Sequence, residues 1–192
     1  MLRPPFLLLK NHFLSENLCK QFIDFFNDNP QYHFSGQSGD GVYPESLQDT
    51  EISLRFTYAD KFSCVQKLIP YINDITERYK NIHPHLNDLA PWKVFDYFQL
   101  QKYEPGEFYN GVHCEHGPSA IDQSDRVIAW MVYLNDVYDG GGTHFPQYEY
   151  TTEARQGTIA LWPAGWTHMH NGVVSHTESK YILTGWYNYE VR

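Results

Sequence analysis

The sequence predicts a β-rich α+β domain, with helices first and a barrel or sandwich of short strands after them. Three observations carry this expectation. Aromatic residues make up 17% of the 192 residues, and aromatics favour strands and line ligand pockets. Apolar residues recur at helical spacing only in the first part of the chain, up to about Tyr79. From Trp92 onward the texture changes to short β-branched and aromatic stretches punctuated by turn residues, the pattern of layered or closed antiparallel sheets.

Taken in order, residues 1–12 read as a short strand entering the fold. Ser15 is a candidate N-cap for a helix in which Leu18, Phe22, Phe25 and Phe26 share a face, and Asn27-Asp28-Asn29-Pro30 ends it. Residues 35–49 hold three glycines and one proline and read as a loop, either a plain surface connection or a lid over a substrate. A second helical region is expected from about Ala59 to Tyr79, broken or kinked at Pro70. Strands follow over residues 94–103, 127–134, 158–162 and 181–189. Glu104-Pro105-Gly106, Asp139-Gly140-Gly141-Gly142, Pro163-Ala164-Gly165 and Asn171-Gly172 supply the turns between them. The whole chain, 1–192, reads as a single domain, with a helical part over about 1–90 and a barrel core over about 91–192.

Composition removes several classes. The formal net charge is −9 and no run of Lys or Arg occurs, which disfavours general nucleic-acid binding because that rests on basic patches. Cys19, Cys64 and Cys114 are too few and too scattered for a disulfide framework or a zinc ribbon. The apolar run Phe6-Leu7-Leu8-Leu9 ends at Lys10, too short for a signal peptide, and no stretch reaches membrane-spanning length. The expectation is a soluble, cytoplasmic protein with reduced thiols and no membrane association. Gly140-Gly141-Gly142-Thr143 lacks the Gly-Lys-Ser/Thr of a phosphate cradle and reads as a turn. No Gly-x-Ser-x-Gly elbow or Cys-His nucleophile pairing stands out.

Of ten histidines, His113, His116, His144, His168, His170 and His176 fall on the strand-rich half, and histidine is the commonest metal ligand. In an extended segment, residues i and i+2 share a face, so His113 and Glu115 can project together into a barrel. One imidazole and one carboxylate are two of the three ligands of a facial triad that leaves open positions on iron. The third would be a later histidine. His168 and His170 point to the same side of an extended segment, so parity does not choose between them. A hairpin turning near Ser175–Ser179 would bring Lys180 back beside that histidine. A lysine aimed into a cavity requires an anion; on position alone Lys180 reads better as a snorkelling surface residue.

A longer ordered series is present. It runs Tyr103-Glu104-Pro105-Gly106, Tyr109, His113-x-Glu115, Arg126 and Tyr133-Leu134-Asn135-Asp136. Gly140-Gly141-Gly142-Thr143-His144-Phe145, Pro163-Ala164-Gly165, His170-Asn171-Gly172-Val173-Val174, Lys180-Tyr181 and Trp186 complete it. Over roughly residues 98–190 it resembles the prolyl 4-hydroxylase-like branch of the 2-oxoglutarate/Fe(II)-dependent dioxygenases. The resemblance implies a double-stranded β-helix, a jelly-roll or cupin-like barrel with N-terminal supporting helices. It implies that His113, Glu115 and His170 hold Fe(II) as the catalytic centre, selecting His170 over His168 by its spacing to Lys180. Lys180 would then pair with the C5 carboxylate of 2-oxoglutarate and Tyr103 would hydrogen-bond the co-substrate. Tyr133 and Thr184 would line the same pocket, and Trp186 would pack near the metal. Ascorbate comes with the resemblance as an accessory.

Two features mark this chain within that pattern. Glu115 stands where aspartate is commoner, one methylene longer but still a carboxylate. The anchor is lysine rather than arginine, a point charge rather than a fork. The expected activity is 2-oxoglutarate- and O2-dependent hydroxylation of a peptide, protein or small-molecule substrate, with prolyl residues as the family-level expectation. Two alternatives come from other classes: a zinc or manganese cupin-type enzyme, for which Lys180 has no use, and a non-catalytic jelly-roll binding module, which needs no metal.

Overall fold

The computed structural model describes residues 3–36, 47–109, 111–117 and 121–190. The chain enters through strand β1 (Leu8–Lys10) and helix α1 (Glu16–Asp28). Ser15 Oγ accepts the Leu18 N–H at 3.3 Å, the N-cap expected from the sequence. Strands β2 (Phe34–Ser35) and β3 (Thr50–Arg55) precede helix α2 (Ser63–Ile82) and the long strand β4 (Trp92–Tyr103). A single turn of helix, α3 (Ile121–Ser124), leads into β5 (Arg126–Tyr133). The remaining strands are β6 (Thr143–Phe145), β7 (Tyr150–Thr151), β8 (Ile159–Pro163), β9 (Asn171–Gly172) and β10 (Lys180–Tyr189).

Two departures from the sequence reading have local causes. Helix α2 starts at Ser63 rather than near Ala59, after a 3-10 turn at Phe56–Tyr58, and it continues through Pro70 without a break. Pro70 is exposed, so the carbonyl it leaves without an intrahelical partner faces solvent, where water can satisfy it. Strand β3 was not expected at all. It lies between a glycine-rich stretch and a helical region, and it pairs with β4, from Thr50 opposite Lys102 to Arg55 opposite Tyr97, and with β2 on its other edge. Most of the loop expected over 35–49, namely 37–46, lies outside the described residues.

Among the described residues, the strands form a seven-stranded antiparallel sheet in the order β1-β8-β5-β10-β4-β3-β2 and a three-stranded sheet in the order β7-β6-β9. Helices α1 and α2 cover the outer face of the large sheet. Phe22, Phe26, Val65, Leu68 and Ile72 from the helices share one buried cluster with Leu54, Phe98, Leu100, Trp130, Val132 and Leu183 from the strands. Each such side chain contributes about 1.5–3 kcal/mol on burial. Trp130 lies so close across β10 that a Cβ on Gly185 would come within 2.4 Å of its indole, so only glycine fits there.

The opposite faces of the same strands point between the two sheets. On β10 the alternation places Lys180, Ile182, Thr184 and Trp186 inward and Leu183 and Tyr187 outward. On β4, Tyr97, Gln99, Gln101 and Tyr103 face inward while Phe98 and Leu100 face the helices. The pairing of β10 with β4 shifts register between Gly185 and Tyr187, beside Trp186. Cys19 and Cys64 are buried free thiols in the helix-covered core, and Cys114 is half-buried. Among the described residues no helix is long and apolar enough to cross a membrane.

Candidate active site

The space between the sheets is a cavity of about 440 Å³, lined by His113, Glu115, His170, Lys180, Tyr103, Thr184 and Trp186 together with Glu51, Gln99, Gln101 and Arg126. The expected strand at His113-Cys114-Glu115 is not regular. The segment makes one antiparallel bridge, His113 opposite His170, with backbone bonds of 3.0 and 2.8 Å between them. The Glu115 and His116 amides both donate to the Ala164 carbonyl, at 3.0 and 3.2 Å. These contacts tie the segment to the small sheet and the β8 turn, and the two side chains converge as i, i+2 parity requires.

The ligating atoms of His113, Glu115 and His170 lie within 4.8 Å of one another, a grouping that could hold a metal ion. Both rings are oriented by backbone carbonyls. His113 Nδ1 donates to Gly111 O at 2.7 Å and His170 Nδ1 donates to His168 O at 2.9 Å. With the proton on Nδ1 in each ring, both Nε2 lone pairs are left to point inward. His170 Nε2 then meets Glu115 Oε1 at 3.2 Å, two acceptors face to face. A cation between them satisfies both, so the donor set fits a divalent metal.

Electrostatics agree with that arrangement. Burial would raise the Glu115 carboxyl, but the groups it faces, His170 first and then His113 and Arg126, hold it well below the usual carboxylate range. Burial lowers His113 to about 4, keeping it a neutral ligand near neutral pH. The other oxygen of Glu115, Oε2, accepts Trp186 Nε1 at 2.7 Å and an Arg126 N–H at 3.2 Å.

At the other end of the cavity, Lys180 is buried and its ammonium sits 4.2 Å from the Tyr103 ring centroid. Among the described residues no carboxylate lies within the 4.0 Å of an ion pair with it, and burial lowers it to about 8. A buried ammonium without a paired carboxylate fits the far end of a dicarboxylate. Nothing in the sequence reading anticipated the acidic pair beside it. Gln101 Nε2 donates to both carboxyls, to Asp49 Oδ2 at 2.9 Å and to Glu51 Oε1 at 2.7 Å, and to the Tyr103 hydroxyl at 3.4 Å. Alternation of Asp49 and Glu51 was the available signal, hidden because β3 was not recognised.

The remaining expected residues divide. Thr184 lines the cavity and donates to Gln101 Oε1 at 2.9 Å. Tyr133 does not line it: its buried hydroxyl bonds Thr143 Oγ1 at 2.9 Å and Thr152 Oγ1 at 2.7 Å, joining the two sheets. His168, the rival of His170, is a buried structural residue whose Nε2 donates to Pro5 O at 2.7 Å.

Two facing sheets with a His-Glu-His cluster and a buried lysine in one cavity define a double-stranded β-helix oxygenase. Residues 98–188 match the family described as the 2OG-Fe(II) oxygenase superfamily. The chain is an Fe(II)/2-oxoglutarate-dependent dioxygenase, and that match favours this class over a zinc or manganese cupin enzyme and over a non-catalytic module. No curated protein matches the chain. Solved structures do. The viral collagen prolyl hydroxylase of Paramecium Bursaria Chlorella virus-1, in its 2OG complex, is 19% identical with a TM-score of 0.72, over 96% of this chain and 97% of that one. The prolyl-4-hydroxylase of Pseudomonas putida is 18% identical with a TM-score of 0.72, over 95% and 92%. The Trichoplax adhaerens prolyl hydroxylase, in complex with a hypoxia inducible factor oxygen degradation domain peptide fragment, is 16% identical with a TM-score of 0.70, over 95% and 83%. These likenesses show the shared fold.

Proposed function

We propose that this protein is a peptidyl-prolyl hydroxylase-like enzyme working as one domain, with Fe(II) held by His113, Glu115 and His170 and 2-oxoglutarate anchored by Lys180. The observation that carries the reading is the coexistence of inward-facing histidine lone pairs and a buried ammonium in one cavity. Bound Fe(II) and 2-oxoglutarate supply the oxidising power: O2 is consumed, 2-oxoglutarate leaves as succinate and CO2, and a substrate C–H becomes C–OH.

The chain's own residues supply placement. The Gly111 and His168 carbonyls hold the two rings in the ligating tautomer. Lys180 neutralises the far carboxylate of the co-substrate. Burial and the charges of Asp49 and Glu51 push the Tyr103 phenol well above its ordinary value, so it stays a hydrogen-bond donor. A peptide substrate is supported by the fold shared with prolyl hydroxylases, one of them holding a peptide.

The test is anaerobic addition of Fe(II) and then 2-oxoglutarate to metal-free protein, followed by visible absorption. A charge-transfer band that is lost in His170→Ala is expected. Succinate release should then rise with proline-containing peptides and not with the same peptides carrying alanine in place of proline. Folded, iron-loaded protein without the band would overturn the iron and co-substrate assignment. A band with no response to proline would overturn only the substrate.

A further inference from the structure

We propose that Trp186 and Arg126 are positioning residues that make Glu115 a one-oxygen ligand, which is how a glutamate serves where aspartate is the commoner choice. The inference rests on the iron-site reading above. An aspartate presents its carboxylate on a short, stiff stem. Glutamate has one more torsion, more rotamer freedom to lose, and reach enough to chelate a metal with both oxygens or to swing away. A chelating carboxylate would take a coordination position that the co-substrate or O2 requires.

The structure removes that freedom by occupying one oxygen. Oε2 accepts Trp186 Nε1 at 2.7 Å and Arg126 at 3.2 Å, leaving Oε1 alone facing His170 Nε2. The guanidinium lies 3.7 Å from the centroid of the Trp186 ring and is 3.4 Å from the Glu115 backbone carbonyl. Trp186 also stacks on Tyr97, within 4° of parallel and with ring centroids 6.2 Å apart. The His116 ring donates to the Arg126 backbone carbonyl, so the residue after the ligand also fixes the residue that grips it. The indole reaches Oε2 because strand alternation on β10 places Trp186 on the inward face with Lys180, Ile182 and Thr184.

The experiment compares Trp186→Phe, which keeps the stacking and removes the N–H, with Glu115→Asp and the double variant. Fe(II) affinity is read by anaerobic competition with a chelator, and coordination number by the visible absorption of Co(II)-loaded protein. Circular dichroism of the metal-free proteins checks folding. Trp186→Phe is expected to weaken Fe(II) binding about tenfold or more and to change the Co(II) spectrum toward higher coordination. Glu115→Asp is expected to bind more weakly than the wild type, because its shorter arm cannot reach the indole and the metal position together. In the Trp186→Phe background the same change should add little. Wild-type affinity and spectrum in Trp186→Phe, or aspartate binding as tightly as glutamate beside an intact tryptophan, overturns the proposal. If Trp186→Phe does not fold, Glu115→Asp alone decides. Wild-type protein that binds no Fe(II) would instead overturn the iron site itself.

Discussion

Nε2 of His170 and Oε1 of Glu115 face each other at 3.2 Å while the His168 carbonyl holds the ring proton on the opposite nitrogen. Two lone pairs at that separation are unfavourable without a cation between them. Metal binding and folding are therefore linked, since the site exists only in the folded chain. With Fe(II) at 100 times its dissociation constant the fold should gain about 2.7 kcal/mol, or roughly 5–10 °C in melting temperature for a chain of this size. Anaerobic thermal melts with and without Fe(II) check this. His170→Ala should melt at one temperature in both conditions.

Lys180 ties co-substrate affinity to pH. Burial lowers the ammonium to about 8, so in the free enzyme it loses charge as pH rises through that value. A bound C5 carboxylate favours the charged form, so 2-oxoglutarate should bind most tightly below about pH 8 and progressively less tightly above it. Lys180→Arg should remove this dependence, because a guanidinium stays charged. Lys180→Ala should weaken binding by about 2 kcal/mol, roughly 30-fold, at neutral pH. Anaerobic 2-oxoglutarate titrations across the range provide the measurement, and an unchanged slope in the arginine variant would assign the titration elsewhere.

The Asp49–Glu51 pair predicts a stability profile. Burial, then the charge of Asp49, raises the Glu51 carboxyl far above the ordinary carboxylate range, and burial raises Asp49 as well. A group whose folded pKa is raised contributes stability that is fully present below its unfolded value and is lost as pH climbs through the folded one. Stability should therefore decline from about pH 5 upward. Glu51→Gln keeps a donor toward Asp49 and the contact with Gln101 but cannot ionise, so its decline should be much shallower. Urea midpoints from about pH 5 to about pH 9 test this; parallel profiles for the two proteins would mean the pair does not hold its proton.

Sequence alone determined the broad architecture and much of the candidate site. Residue alternation on β10 and β4 already set Lys180, Thr184 and Trp186 on one face and Tyr103 on the facing strand, because strand parity is a local property. The Ser15 cap and the helix-face phenylalanines were readable for the same reason. His113 and Glu115 were legible from their spacing, and His170 from its distance to Lys180 in a resembling series. Tertiary structure decided what depends on neighbours remote in the chain. Strand β3, which carries Glu51 and follows directly on Asp49, exists through pairing with β4 and β2. Tyr133 turns its hydroxyl to Thr143 and Thr152 instead of the cavity, since those threonines arrive from elsewhere in the chain. His168 is consumed by the Pro5 carbonyl, 163 residues away in sequence. The grip of Trp186 and Arg126 on one oxygen of Glu115 joins residues up to 71 positions apart. Periodicity reports which side of an element a residue faces; what it meets there is set only when the sheets close.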